Sequence, residues 1–172
     1  VHKIQFILDC TNNYKQLIND IYKILNILRS EFNLRKNKEY YTELAFPGRF
    51  DNADVNFIKL LLQRALQKDV RKIIVDKLFN KYCKDIDVAK GFYMTLKEIK
   101  YMRDHGMYIG CHGFYHEWLD TLKKKEQEHD IDMSLRYLKG LNSNKDWAIA
   151  YPFGAYNDSL ISIIKKRGCK VG

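Results

Sequence analysis

Four cysteines are present, Cys10, Cys83, Cys111 and Cys169, and no two of them form a C-x-x-C pair. Their wide separation indicates neither a disulfide framework nor a cysteine zinc site. Long apolar runs are missing too, and none approaches the ~20 residues of a membrane span. Lys and Arg (30) outnumber Asp and Glu (21), giving a formal charge of +9. No stretch, however, interleaves Arg with stacking aromatics or Gly as nucleic-acid modules do. The lysines are scattered along predicted helix faces, which describes a solvated surface and no nucleic-acid partner.

The chain has 172 residues, 46% of them hydrophobic and 13% aromatic, enough for one domain with a sizeable core. Its first part is patterned for helices. Residues 3 to 9 (Lys-Ile-Gln-Phe-Ile-Leu-Asp) fit either a strand ending in an acid or the head of a helix. Beyond the Thr11-Asn12-Asn13 cap signal, Leu17, Ile18, Ile21, Tyr22, Ile24, Leu25 and Leu28 recur at helical spacing, predicting an amphipathic helix that ends near Ser30. Residues 31 to 53, broken by Pro47-Gly48, read as a connecting excursion with a short hairpin or turn. Two more helices follow, one carrying Phe57, Ile58, Leu61, Leu62, Ala65 and Leu66 and one carrying Val70, Ile73, Ile74, Leu78, Phe79 and Tyr82, with a junction near 67–69. Residues 1–92 carry no obvious chemistry and are assigned to a helical insertion or cap.

Residues 93–172 alternate. Thr95 and Glu98 form a capping box and Gly106 a C-terminal stop around a helix with Leu96, Ile99 and Met102 expected inward. Met107, Tyr108, Ile109 and Cys111 read as a short buried strand, with Cys111 a small buried hydrophobe. A charged helix spans about Lys124 to Lys139, with Ile131, Leu135 and Leu138 inward. Trp147 to Tyr151 read as a second buried strand, Asn157 as the cap of a helix stopping at Gly168, and Cys169-Lys170-Val171 as the start of a third strand. Helix–strand alternation predicts βα units on a parallel sheet or barrel.

Chemistry concentrates where these strands end. His112 and His116 stand four residues apart at the end of the first strand, and two converging imidazoles suit Zn²⁺ or a similar borderline cation, which takes three protein ligands and keeps a position for water. His105 and His129 read as solvated helix-surface residues. In Tyr151-Pro152-Phe153-Gly154, Pro152 fixes the backbone before Phe153, whose N–H is a candidate donor into a site there, while Tyr151 and Trp118 are candidate walls of a pocket.

Together, His112-Gly113-Phe114-Tyr115-His116 and Ala150-Tyr151-Pro152-Phe153-Gly154 resemble the second and third motifs of the polysaccharide deacetylases, carbohydrate esterase family four or NodB homology domain. The resemblance is strong over residues 93 to 172 and weaker over 1 to 92. It implies an α/β chain with a partial (β/α) barrel and an N-terminal helical insertion. It further implies a metal-dependent hydrolase (Zn first; Co, Ni or Mn next) that removes acetyl groups from an N- or O-acetylated carbohydrate. Within it His112 and His116 are metal ligands, Phe153 supplies the backbone donor, and Tyr151, Pro152 and Trp118 bind substrate.

The departures matter as much. Family members open with T-F-D-D, and no Asp-Asp exists here; no L-x-H follows His129; Gly113 replaces the usual Ser or Thr, removing a hydroxyl expected to brace the loop. The chain is therefore expected to be part of a larger deacetylase. The alternatives are a catalytically inactive carbohydrate-binding pseudoenzyme and a basic helical module binding anionic polymers, the last predicting steep salt dependence. Taken alone, the chain should be metal-poor and inactive on an N-acetylglucosamine oligomer, since each missing acid or base typically forgoes ~10²–10⁴ in rate. Deacetylation by it, abolished by His112→Ala, would show that a residue present here, Asp9 first, has taken the missing role.

Overall fold

In the computed structural model, which describes residues 2–84, 92–141 and 146–172, the chain falls into two compact units, Val1–Val88 and Ala89–Gly172. The first is built from helices α1 (His2–Asp9), α2 (Tyr14–Phe32), α3 (Asn37–Leu44), α4 (Ala53–Leu60) and α5 (Lys68–Tyr82), with a π-helical turn, Leu61–Ala65, continuing α4. The ambivalent run at residues 3 to 9 is helical, because Ile4, Ile7 and Leu8 fall on one side and are buried. Asp9 ends that helix exposed, so it closes no strand.

Helix α2 begins where Asn13 Oδ1 accepts the Gln16 N–H at 3.0 Å and stops at Asn33, whose left-handed φ of 50° ends the hydrogen-bond ladder. It buries Leu17, Ile18, Ile21, Leu25 and Leu28 against Phe57, Ile58, Leu61 and Leu62 of α4 and its π turn, and against Val70, Ile74 and Leu78 of α5. The expected excursion at 31 to 53 needs correcting, since α3 occupies its middle. No strong amphipathic pattern announces α3. It is held by burial of its own Tyr40 and, from outside its sequence, by the guanidinium of Arg29, which donates to the Leu34 and Arg35 carbonyls and to Asn37 Oδ1 (2.6 Å).

Among the described residues of this unit, one carboxylate is buried. Asp20, on α2 and 6% exposed, accepts from Lys81 Nζ, Tyr82 Oη (2.7 Å), Lys23 Nζ (3.2 Å) and Gln16 Nε2 (3.3 Å). Burial alone pushes its pKa up, but the hydrogen bonds from Lys81, Tyr82 and Lys23 outweigh that and hold it at about 2, while burial and Asp20 push Tyr82 up to about 12. A carboxylate with a depressed folded pKa stabilises above its unfolded value near 3.8 and loses that contribution as pH falls towards about 2. Acid unfolding followed by circular dichroism should therefore show about 2 kcal/mol of stability disappearing between roughly pH 5 and pH 2, and Asp20→Asn should remove most of that slope.

The second unit contains α6 (Leu96–Asp104), a 3₁₀ turn at Leu119–Thr121, α7 (Lys124–Lys139), β1 (Trp147–Ala148), a 3₁₀ turn at Pro152–Gly154, α8 (Asp158–Lys166) and β2 (Cys169–Val171). The capping box opens α6: Thr95 Oγ1 accepts the Glu98 N–H, and the Glu98 carboxylate accepts the Thr95 N–H at 2.6 Å. The inward face expected for α6 is absent, with Leu96 exposed and Ile99 and Met102 only half-buried. Likewise Met107 and Tyr108 are 56% and 58% exposed, and the expected first strand reduces to one bridge at Cys111. An apolar run becomes strand only where a neighbour supplies the ladder, and here the Ala148 N–H is taken by the Tyr108 hydroxyl (2.8 Å).

β1 and β2 are parallel, with Trp147 opposite Cys169 and Ala148 opposite Val171. On the other edge of β1, Ile149 bridges Cys111, also in parallel. Among the described residues the second unit is thus a mostly helical assembly around two parallel strands and one bridge, without closure into a barrel. Its core joins Cys111, Leu119, Ile131, Leu138, Trp147, Ile149, Leu160, Ile163 and Ile164. Helices α7 and α8 are tied by Arg167, which grips Asp132 through Nε (2.5 Å) and Nη2 (2.9 Å), and the indole of Trp147 donates to the Arg167 carbonyl at 2.8 Å.

Candidate metal centre and active site

The bridge at Cys111 assembles the site. Cys111 donates its N–H to the Ala148 carbonyl (2.8 Å) and accepts the Ala150 N–H (2.9 Å), so the residue after each, His112 and Tyr151, leaves the sheet at the same place. The His112 ring returns across this rung, with Nδ1 2.7 Å from the Ala150 carbonyl oxygen. A carbonyl only accepts, so Nδ1 carries the proton and donates, and Nε2 keeps the lone pair for a cation. The His116 ring centroid lies 4.7 Å from that of His112 at an interplanar angle of 82°. Cys111 is buried, and burial pushes its thiol pKa up, the opposite of what a metal-binding thiolate needs.

A carboxylate holds the loop between the histidines. Asp130, on α7 and 1% exposed, accepts the Phe114 N–H on Oδ1 (2.8 Å) and the Tyr115 N–H on Oδ2 (3.1 Å). The bracing that position 113 lacks as Gly is supplied from α7. Glycine is also the residue that position can accept: its φ is +71°, and a Cβ there would lie 3.2 Å from both Asp130 Oδ1 and Pro152 Cγ. Two non-glycine residues of the site share the left-handed region, His116 at φ 53° and Phe153 at φ 58°. Such backbone costs on the order of 1–3 kcal/mol per residue and persists where the surroundings over-determine it.

Aromatic rings frame the pair. Phe153 stands edge-on to His116 (centroids 5.0 Å, 89°), and Trp118 stacks on Phe153 at 4.5 Å and 3°. Polar groups tie the flanking segments: buried Gln127 donates through Nε2 to the Leu119 carbonyl (2.8 Å) and to Asn157 Oδ1 (3.1 Å), while Asn157 Nδ2 donates to the Asp120 carbonyl (3.1 Å) and Asn157 Oδ1 also caps α8 through the Leu160 N–H (2.9 Å). The turn after Trp118 is thereby fastened to the helix after Phe153.

His112, His116, Trp118, Pro152 and Phe153 thus gather in one place, Pro152 being buried beside Gly113. Tyr151 turns elsewhere. Its ring packs on Tyr156 (5.1 Å) and lines a cavity of ≈ 570 Å³ with Ile161, Ile164, Lys165 and Cys169, a lining that includes neither histidine. Burial, Cys169 and Tyr156 push the Tyr151 pKa up, so its hydroxyl stays protonated there. Two imidazoles, one with its tautomer fixed by a carbonyl, fit two ligands of a borderline divalent cation. Among the described residues no group of three His, Cys, Asp or Glu forms around them. Asp130 completes no such group; its two oxygens accept the Phe114 and Tyr115 N–H groups and hold the loop.

Sequence reasoning missed Asp130 and Gln127. Their signal was nonetheless present, since Gln127, Asp130 and Ser134 recur at three- and four-residue spacing on the same face of α7 as Ile131 and Leu138. Polar residues on an inward face require partners, and these found the histidine loop, the following turn and their own helix.

A model of the polysaccharide deacetylase family matches residues 75–172, more than half of the chain and all of the site just described. The chain belongs to the polysaccharide deacetylase family. It is similar to a protein of Bacillus subtilis (strain 168) named "Putative polysaccharide deacetylase YxkH", with 26% identity over 85 residues, which cover 49% of this chain and 30% of that protein. The matched stretch therefore spans under a third of that relative's length. No solved structure matches the chain.

Removing the brace should be measurable without any substrate. Asp130→Ala leaves two backbone N–H groups without their charged acceptor and should cost about 2–3 kcal/mol in denaturant unfolding. Asp130→Asn, keeping one acceptor oxygen, should fall between it and the parent. Equal stability of all three would show that the Asp130 bonds do not hold the loop.

Proposed function

We propose that this chain carries the metal-ligating and substrate-facing part of a metal-dependent hydrolase that removes acetyl groups from an N-acetylated, or O-acetylated, carbohydrate. One observation carries the reading: the His112 imidazole, fixed through Nδ1 on the Ala150 carbonyl, stands edge to face with His116 at the start of Tyr-Pro-Phe-Gly. His112 and His116 would hold the cation, Zn²⁺ first and Co²⁺, Ni²⁺ or Mn²⁺ after it. When bound, such a cation polarises the acetyl carbonyl and acidifies a water.

The chain's own residues do the rest of the work assigned to this segment. The Ala150 carbonyl holds the proton on His112 Nδ1 and keeps that ring from turning. Pro152 limits the backbone before Phe153, whose N–H would serve as the donor to the developing oxyanion. The stacked pair Trp118 and Phe153 presents an apolar wall on which a sugar ring can lie. Tyr151, on its separate cavity, serves an outer part of the same carbohydrate. The parallel strip of Cys111, β1 and β2 belongs to a partial (β/α) barrel of the NodB type, with residues 1–92 as a helical insertion and residues 93–172 as the βα core.

A second reading, a carbohydrate-binding protein without catalysis, is favoured by the exposed aromatics at the loop, since Phe114 (43%) and Tyr115 (48%) can stack on sugar faces with no metal present. Both readings predict carbohydrate as the partner, and no helix among the described residues is long and apolar enough to cross a membrane.

The test uses the longest natural protein that contains this segment. After dialysis against Zn²⁺ it should hold about one equivalent of metal and deacetylate an N-acetylglucosamine oligomer, and His112→Ala should lose the metal and at least about 100-fold in rate. A protein that binds no divalent cation and keeps its activity after His112→Ala would sink the hydrolase reading. Retained oligomer binding without metal or turnover would establish the second.

A further inference from the structure

The four cysteines give no disulfide pattern in the sequence, yet the first unit brings two of them together. Cys10 follows α1, its N–H bonded to the Phe6 carbonyl at 2.8 Å, and Cys83 caps α5, its N–H bonded to the Phe79 carbonyl at 2.8 Å. Both backbones are thus held by their helices. Across a sequence separation of 73 residues the two sulfurs lie 2.7 Å apart. That is within about 1 Å of the ~2.05 Å S–S bond, so closure needs only a small side-chain adjustment. The other two cysteines have different surroundings, Cys111 in the core of the second unit and Cys169 on β2, its Sγ donating to the Val171 carbonyl at 3.3 Å.

We infer that Cys10 and Cys83 are an oxidative cross-linking site, closed into a disulfide by exchange with the disulfide of a small thiol or a thiol–disulfide oxidoreductase. The two members are unequal. Cys10 is partly exposed, whereas Cys83 is 2% exposed, and burial together with Cys10 pushes its pKa up to about 12. Cys10 is therefore the entry point. Its thiolate attacks the incoming disulfide, RS–SR, forms Cys10–S–SR and releases one RS⁻. Cys83, deprotonated in the same step, then attacks the Cys10 sulfur and expels the second RS⁻. The two protons lost by the cysteines end on the two RSH products, and the two electrons removed from the pair reduce RS–SR.

The cross-link would act on one of the short elements of this unit. Helix α1 has only 8 residues and, at that length, stays helical only through its packing of Ile4, Ile7 and Leu8. A bond from Cys10 to Cys83 ties the end of α1 to the end of α5 and closes a long loop, the situation in which a cross-link restricts the unfolded chain most. The inference is independent of the deacetylase reading, because it concerns neither histidine.

The test starts from the reduced full chain, which has four free thiols. Incubated folded with oxidised glutathione and then denatured, it should titrate only two with Ellman's reagent and yield a Cys10–Cys83 linked peptide on mass spectrometry. It should also melt at least about 5 °C above the reduced form, a difference abolished by dithiothreitol. Cys10→Ser should keep three thiols under the same treatment. Four surviving thiols, a lasting glutathione adduct on Cys10, a link through Cys111 or Cys169, or loss of two thiols from Cys10→Ser would each overturn the inference.

Discussion

The site depends on a single rung of parallel backbone pairing. Cys111 exchanges its N–H and carbonyl with Ala148 and Ala150, and the chain directions that rung imposes bring the two motifs together. His112 meets the Ala150 carbonyl because both emerge from it, and Pro152 meets Gly113 one step further on. A rung this short would be weak by itself. It is made durable by β2 on the opposite edge, by burial of Cys111 and Ile149, and by α7 and α8 packed over them.

The loop that leaves the rung is held against its own conformational preference. Left-handed backbone at His116 and Phe153 is strained for residues with a Cβ, and the compensation comes from groups outside the two motifs. Asp130 gives both carboxylate oxygens to loop N–H groups, and Gln127 with Asn157 fastens the flanking turns. The result places an imidazole pair with one fixed tautomer against a stacked aromatic wall, an arrangement built to orient and not merely to pack.

The first unit answers a different physical problem. Its helices are mostly short, and its cohesion comes from the apolar side chains shared by α1, α2, α4 and α5, with one buried carboxylate, Asp20, satisfied by partners on α2 and α5. An isolated charge there would be costly; hydrogen-bonded from both helices, it fixes their mutual register. The same docking that aligns α1 with α5 sets Cys10 on Cys83.

Local chemistry was legible in the amino-acid order because it is local: the capping box at Thr95, the Asn13 and Asn157 caps, the bounds of α7, the helical stripes of α2 and α5, and the two motifs that mark the family. Each is decided by residues within a turn or two of one another. Where the pattern misled, at Met107 to Ile109, on α6 and through residues 37 to 44, the outcome depended on neighbours far along the chain that either supplied a ladder or did not. Only the tertiary structure could bring Asp130 to the histidine loop, turn Tyr151 away from it, or place Cys10 beside Cys83. A side chain's partner across tens of residues is chosen by how helices dock, and docking is a property of surfaces that no single segment contains.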